Sequence, residues 1–219
     1  MTEINRELVQ RLPKTDLHVH LDGSLRASTL LELADSQKID LPADTEEEII
    51  PFVQPGADCK SLEEYLQAFN YTCAVLQEEE ALYRVAFELG EDAAQENVKY
   101  IEVRYSPILH TSKDLPFPRI IEAVAEGLRE AKRKYGIMSG QIICGMRNID
   151  PQTSVRLAEL AIAFKQKGVV GFDLAGAEYN NPAREHADAF YLIRKNNINC
   201  TIHAGEAYGP DSIQQALHV

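Results

Sequence analysis

Two short segments hold most of the side chains that could do chemistry, and each follows an apolar run. In TDLHVHLDG an extended backbone alternates its side chains between two faces, so His18, His20 and Asp22 share one face while Val19 and Leu21 take the other. Two imidazoles set side by side can each bring a nitrogen to about 2.0–2.1 Å from one zinc ion. The second segment, TIHAGEAYG, supplies His203 with Glu206 three residues on. Three nitrogen ligands leave zinc an open position for water, and a neighbouring glutamate can carry the protons that a hydrolytic displacement requires. Each segment alone also has a plainer account. An HxH pair can sit in a strand without metal, and HAGE reads equally well as a core histidine followed by a helix-capping glutamate. Asp22 and Gly23 favour the chemical reading, because packing does not explain a charge and a turn residue directly after a buried strand.

Other polar positions carry weaker signals. Gly176 in GFDLAGAE leaves backbone groups free to approach a planar ligand, although a plain turn glycine has the same look. Arg104 and Ser106 in EVRYSP share a strand face with Glu102, and a buried Glu102–Arg104 pair accounts for them structurally. His110, His186 and His218 have no neighbouring ligand pattern and are expected at the surface. The run KRK at 132–134 closes a helix, where cations complement the helix dipole.

The elements that must position these residues alternate along the chain. Strands are predicted near 15–21, 98–105, 139–146, 169–175 and 198–204, with helical spacing at 118–135, 151–167 and 184–196. That order predicts a parallel α/β sheet, open or closed into a barrel. His18, His20, Asp22, Gly176, His203 and Glu206 then all fall at the C-terminal ends of strands, the edge where such folds bind ligands. About 75 residues separate the first two strands, and within them 28–36 and 62–97 look helical. Leu62, Tyr65, Leu66 and Phe69 put apolar groups on one face at three- and four-residue spacing, which suits either a cover over the site or an extra packing layer.

Composition narrows the partners. The chain has 219 residues, 45% of them hydrophobic, with no low-complexity tract or linker, and reads as one domain over 1–219. Its net charge of −12 repels phosphate backbones and anionic lipid, so neither nucleic acid nor a membrane surface is expected as a partner. No run of about 18 apolar residues occurs, the N-terminus lacks the apolar stretch of a signal peptide, and no CxxC pair is present among the four cysteines. Cys144 and Cys200 lie in apolar runs that suit buried free thiols, and a cytoplasmic setting is expected.

Taken in order, PKTDLHVHLDGSL, YIEVRYSP, FDLAGAE and TIHAGEAYG resemble the zinc-dependent adenosine deaminases of the amidohydrolase superfamily, over about residues 13–209. The resemblance implies a (β/α)8 barrel of TIM type with one Zn2+ held by His18, His20 and His203, and with Glu206 as proton shuttle. It also implies that Asp22 contacts the sugar 5′-hydroxyl and Gly176 a purine ring nitrogen, that His20 lies beside the substrate, and that Leu62, Tyr65, Leu66 and Phe69 belong to a helical lid within 60–97. The implied reaction is hydrolytic deamination of adenosine, and of deoxyadenosine, to inosine and ammonia in purine salvage. The similar adenine deaminases carry Glu where Asp22 stands, so the nucleoside reading follows from Asp22. An adenine or modified-nucleoside deaminase and a zinc-binding fragment without turnover are the alternatives. A barrel of this type takes about 250 residues and eight strands, of which five can be placed here. The family's histidine after the sixth strand and its paired aspartates after the eighth have no counterpart in these residues. The expectation is a chain with open sheet edges that self-associates and turns over little by itself.

Overall fold

A computed structural model describes residues 5–56 and 59–219; residues 1–4 and 57–58, which the one-domain expectation also covered, lie outside it. Five parallel strands, β1 (Lys14–His20), β2 (Val98–Tyr105), β3 (Met138–Met146), β4 (Val169–Ala175) and β5 (Asn199–Cys200), pair strictly in sequence order. A doubly wound sheet reverses its strand order at a switch point, whereas sequential order with helical crossovers is the winding of a (β/α) barrel. The sheet is therefore five consecutive units of such a barrel.

The helices are α1 (Arg6–Arg11), α2 (Ala27–Gln37), α3 (Glu46–Val53), α4 (Leu62–Val75), α5 (Glu79–Gln95), α6 (Phe117–Tyr135), α7 (Pro151–Ala163), α8 (Ala187–Lys195) and α9 (Gly209–Leu217). Their ends follow local chemistry. The Ser61 side chain accepts from Glu64 N at the start of α4, and Asp150 caps α7 with Pro151 just inside it. Gly136 takes a left-handed φ of 74° after α6, whose last turn carries Lys132, Arg133 and Lys134 as expected. Ile120, Ile121, Val124, Leu128 and Ala131 form the buried stripe of α6. Glycines bring α5 against α6: a β-carbon on Gly90 would stand 2.5 Å from Ala131 Cβ.

Three sequence expectations change here. The helical stretch 62–97 divides, since α4 ends at Val75 and α5 begins at Glu79. Helix α3 escapes the pattern because Pro51 sits inside it, although Thr45 caps Glu48 N and three glutamates fill the first turn. The fifth strand, predicted over 198–204, pairs formally only at Asn199–Cys200. Its backbone still runs along β4, with Thr201 N donating to Phe172 O and His203 N to Leu174 O. Among the described residues no sixth strand lies on its other side to complete the ladder.

Candidate metal centre and ligand cavity

The three histidines of the two motifs meet at one point. His203 Nε2 lies 2.9 Å from His18 Nε2 and 3.2 Å from His20 Nε2. Four-coordinate zinc with bonds of about 2.0–2.1 Å holds its nitrogens about 3.3 Å apart, so the spacing fits one ion. The donor chemistry fits as well, because one proton on one ring cannot satisfy three converging nitrogens, while a cation attracts all three lone pairs. Burial and then the positive Arg104 push the His18 pKa down; burial and then the other two imidazoles push that of His20 to about 4. Both shifts favour the neutral form that ligates metal.

A carboxylate that the motif reading did not single out stands behind this cluster. Asp173 Oδ2 lies 2.9 Å from His203 Nδ1, and the same carboxylate takes Arg104 Nη1 at 2.9 Å and Thr201 Oγ1 at 3.0 Å. Burial would raise the Asp173 pKa, but His203, Arg104 and Thr201 outweigh it and hold the group ionised. A carboxylate facing the far nitrogen of a ligating imidazole is a usual means of orienting the ring. Arg104 thus pairs with Asp173 and not with Glu102, which instead accepts from the Tyr100 hydroxyl at 2.8 Å. The correction has a simple cause: the barrel brings β2 and β4 side chains together in its interior, which neighbouring sequence positions cannot report. Arg104 Nη2 also donates to Leu17 O at 2.9 Å, joining β1 to β4 across that interior. A sequence signal for Asp173 existed, namely an acid in the middle of an otherwise apolar strand.

The cluster opens into a cavity of about 920 Å³ whose walls include every residue singled out from the motifs: His18, His20, Asp22, Gly176, His203 and Glu206. Leu62, Tyr65, Leu66 and Phe69 of α4 form its apolar side with Leu109 and Met146, and Ser106 lies at its floor beside Cys144. Helix α5 packs away from the cavity, against α6. Asp22 is buried, its Oδ1 has no hydrogen-bond partner among the described residues, and burial pushes its pKa up to about 6. Gly176 has φ of +95°, and a β-carbon there would come within 2.9 Å of Asn148 Oδ1. The loop after β3 contributes Met146 and Asn148 to the wall, positions that no motif marked.

The remaining histidines divide. His218 is exposed as expected, but His110 and His186 are buried at 0% and 1% exposure. His186 bridges Ser154 Oγ at 2.8 Å and Arg147 O at 3.2 Å, a tertiary role that its helical setting in the sequence did not reveal. His110 ends the short helical turn Pro107–His110 after β2 and packs beside Tyr105. Of the two cysteines expected inside, Cys144 is buried, whereas Cys200 is exposed because its strand is the sheet edge; all four cysteines are free. No helix among the described residues is long and apolar enough to cross a membrane.

A family model described as adenosine deaminase matches residues 13–219. A curated adenosine deaminase of Clostridium botulinum is 42% identical over 96% of this chain and 63% of its own length. A probable adenosine deaminase of Dictyostelium discoideum is also 42% identical, over 99% of this chain and 28% of its own length. The crystal structure of an Arabidopsis N6-mAMP deaminase superposes with a TM-score of 0.83 at 29% identity, covering 97% of this chain and 64% of that one. The chain therefore spans less than two thirds of the length of each of these proteins.

Proposed function

The chain belongs to the adenosine deaminase family, and from that premise we propose that it provides the zinc- and nucleoside-binding part of an enzyme that deaminates adenosine hydrolytically to inosine and ammonia. The observation that carries the proposal is the convergence of three Nε2 atoms, within 3.2 Å of His203, in a cavity that also holds Glu206 and Asp22. One zinc ion per chain, when bound by His18, His20 and His203, acidifies water so that it can attack at neutral pH.

The chain's own groups then divide the work. Glu206 stands exposed on the cavity wall, free to pass a proton between water and the purine ring and then to the departing amine. The orphaned Oδ1 of Asp22 takes a hydroxyl donor, as a sugar provides, and Gly176 lets a planar ring lie against backbone without a side chain between. The α4 face made by Leu62, Tyr65, Leu66 and Phe69 covers the ring and excludes water. Among the described residues of the wall none is Lys or Arg, and its two carboxyl groups are those of Asp22 and Glu206. That lining supports a neutral nucleoside over a nucleotide such as the N6-mAMP for which the Arabidopsis relative is named. Four free cysteines and a net charge of −12 are in keeping with a cytoplasmic protein of purine metabolism.

The test is loss of adenosine absorbance by the 219-residue chain supplied with zinc, beside Glu206→Gln. Turnover should fall by about 10³-fold or more in the variant, with one zinc per chain retained in both. Preferential turnover of adenine or of AMP would replace the nucleoside reading. Zinc binding with no deamination of any of the three would assign the chain a metal-holding role without turnover.

A further inference from the structure

The motif FDLAGAE carries a second carboxylate, Glu178, three residues beyond the end of β4; it is not itself part of the cavity lining but lies behind it, bonded to the backbone of the lining residue Gly205. It is 4% exposed, and every hydrogen-bond partner of its carboxylate among the described residues belongs to the segment that follows His203. Glu178 Oε1 accepts from Gly205 N at 2.6 Å and from the Ser212 hydroxyl; Oε2 accepts from Ala207 N at 2.5 Å and Tyr208 N at 2.8 Å. The amides on both sides of Glu206 are thus gathered onto one carboxylate. Gly205 makes the turn possible with φ of +84°. Arg147 grips the same loop from the other end, its Nη2 donating to His203 O at 2.6 Å and its Nη1 to Asn181 O at 2.8 Å.

Glu206 itself is exposed, and no hydrogen bond of its carboxylate is found among the described residues. Nothing but the backbone beneath it determines where it stands. We propose that Glu178 is the positioning residue for Glu206, fixing the 204–208 turn so that the Glu206 carboxylate faces the three-histidine centre. The inference rests on the reading of Glu206 as the group beside the metal. Burial works against the Glu178 charge, but Ser212 and the three amides outweigh it and lower its pKa, so the clamp is anionic at neutral pH. A neutral glutamine in its place keeps the shape and offers one acceptor oxygen where two served four donors.

The experiment is a double-mutant cycle read in Zn2+ affinity, by chelator competition on the 219-residue chain, with Glu178→Gln, Glu206→Gln and both together. A carboxylate close to the ion attracts it, so Glu206→Gln should weaken zinc binding about tenfold in the wild-type background. In the Glu178→Gln background the same change should have an effect below about twofold, because Glu206 no longer faces the ion. Glu178→Asp should restore part of the coupling and Ser212→Ala should remove part of it. Amide exchange in the metal-free chain should quicken at 205, 207 and 208 in Glu178→Gln while the amides of β1–β4 stay protected, which shows that the variant is folded. Equal effects of Glu206→Gln in both backgrounds, or unchanged exchange in the loop, would overturn the positioning role. No effect of Glu206→Gln in the wild-type background would overturn the placement of Glu206 at the metal, and the clamp's purpose with it.

Discussion

At the scale of single residues, the chemistry of the site depends on which groups can change charge. Three imidazoles must be neutral to ligate, with the Nε2 atoms of His18 and His20 each within 3.2 Å of that of His203, and Asp173 opposes Arg104 behind them at 2.9 Å. Glu206→Gln tests the proton-moving role, with deamination lost and zinc retained. His110 offers a separate pH test outside the centre. Buried completely, with neither ring nitrogen partnered among the described residues, it has its pKa lowered from 6.5 to about 4. The unfolded chain then binds a proton that the folded chain refuses, so His110 costs nothing above pH 6.5 and destabilises increasingly as pH falls toward 4. The full effect is about 3 kcal/mol. Urea unfolding of His110→Leu should show a smaller loss of stability than the wild type between pH 7 and 4; parallel curves would contradict the account. The HxH and HAGE segments were legible because chemistry and strand-end position coincide in them. Asp173, Glu178 and Arg147 were not read as parts of the site, since each acts through a partner at least 25 residues away.

At the scale of elements, the first crossover is where the chain departs from a plain β-then-α repeat. Helix α4 turns its apolar face to the cavity while α5 closes against α6, so one predicted helical stretch serves two different surfaces. The α5–α6 contact depends on an absent side chain. A β-carbon on Gly127 would overlap the Tyr83 carbonyl and come within 2.9 Å of both Ala86 Cβ and Phe87 N, backbone that cannot rotate away. Gly127→Ala gains about 1 kcal/mol of helix propensity yet should lose about 2 kcal/mol or more net, through displacement of the helices. A thermal melt with a raised midpoint would contradict this. Helix periodicity was readable because α6 keeps its stripe over 19 residues, but the break at 76–78 was not, because Leu76, Gln77 and Glu78 are all good helix formers and no Gly or Pro marks it.

At the scale of the molecule, β1 and β5 each have a neighbour on one side only, and Leu17 on β1 is 53% exposed. Unpaired ladder groups beside exposed apolar surface favour pairing with another chain. The 219-residue chain by itself should therefore associate with rising concentration in sedimentation velocity, whereas a monomer at every concentration would contradict this. Zinc should tie β1 to the segment that continues β5 across the open side, since His18 and His20 lie on β1 and His203 three residues beyond Cys200, and chelation should increase association. The same geometry explains the exposed Cys200, which a closed ladder would cover.

By itself the sequence determined the alternation of strands and helices, the residues aimed at one rim, the ligand types and the family they resemble, because these depend on period, spacing and side-chain chemistry within a few positions. Only the tertiary structure decided who meets whom: Arg104 with Asp173 rather than Glu102, His110 and His186 inside rather than outside, and Glu178 under the loop of Glu206. The physical reason is distance along the chain. Partners 25 to 185 residues apart meet only when strands wind side by side, and burial is a property of what the neighbours cover.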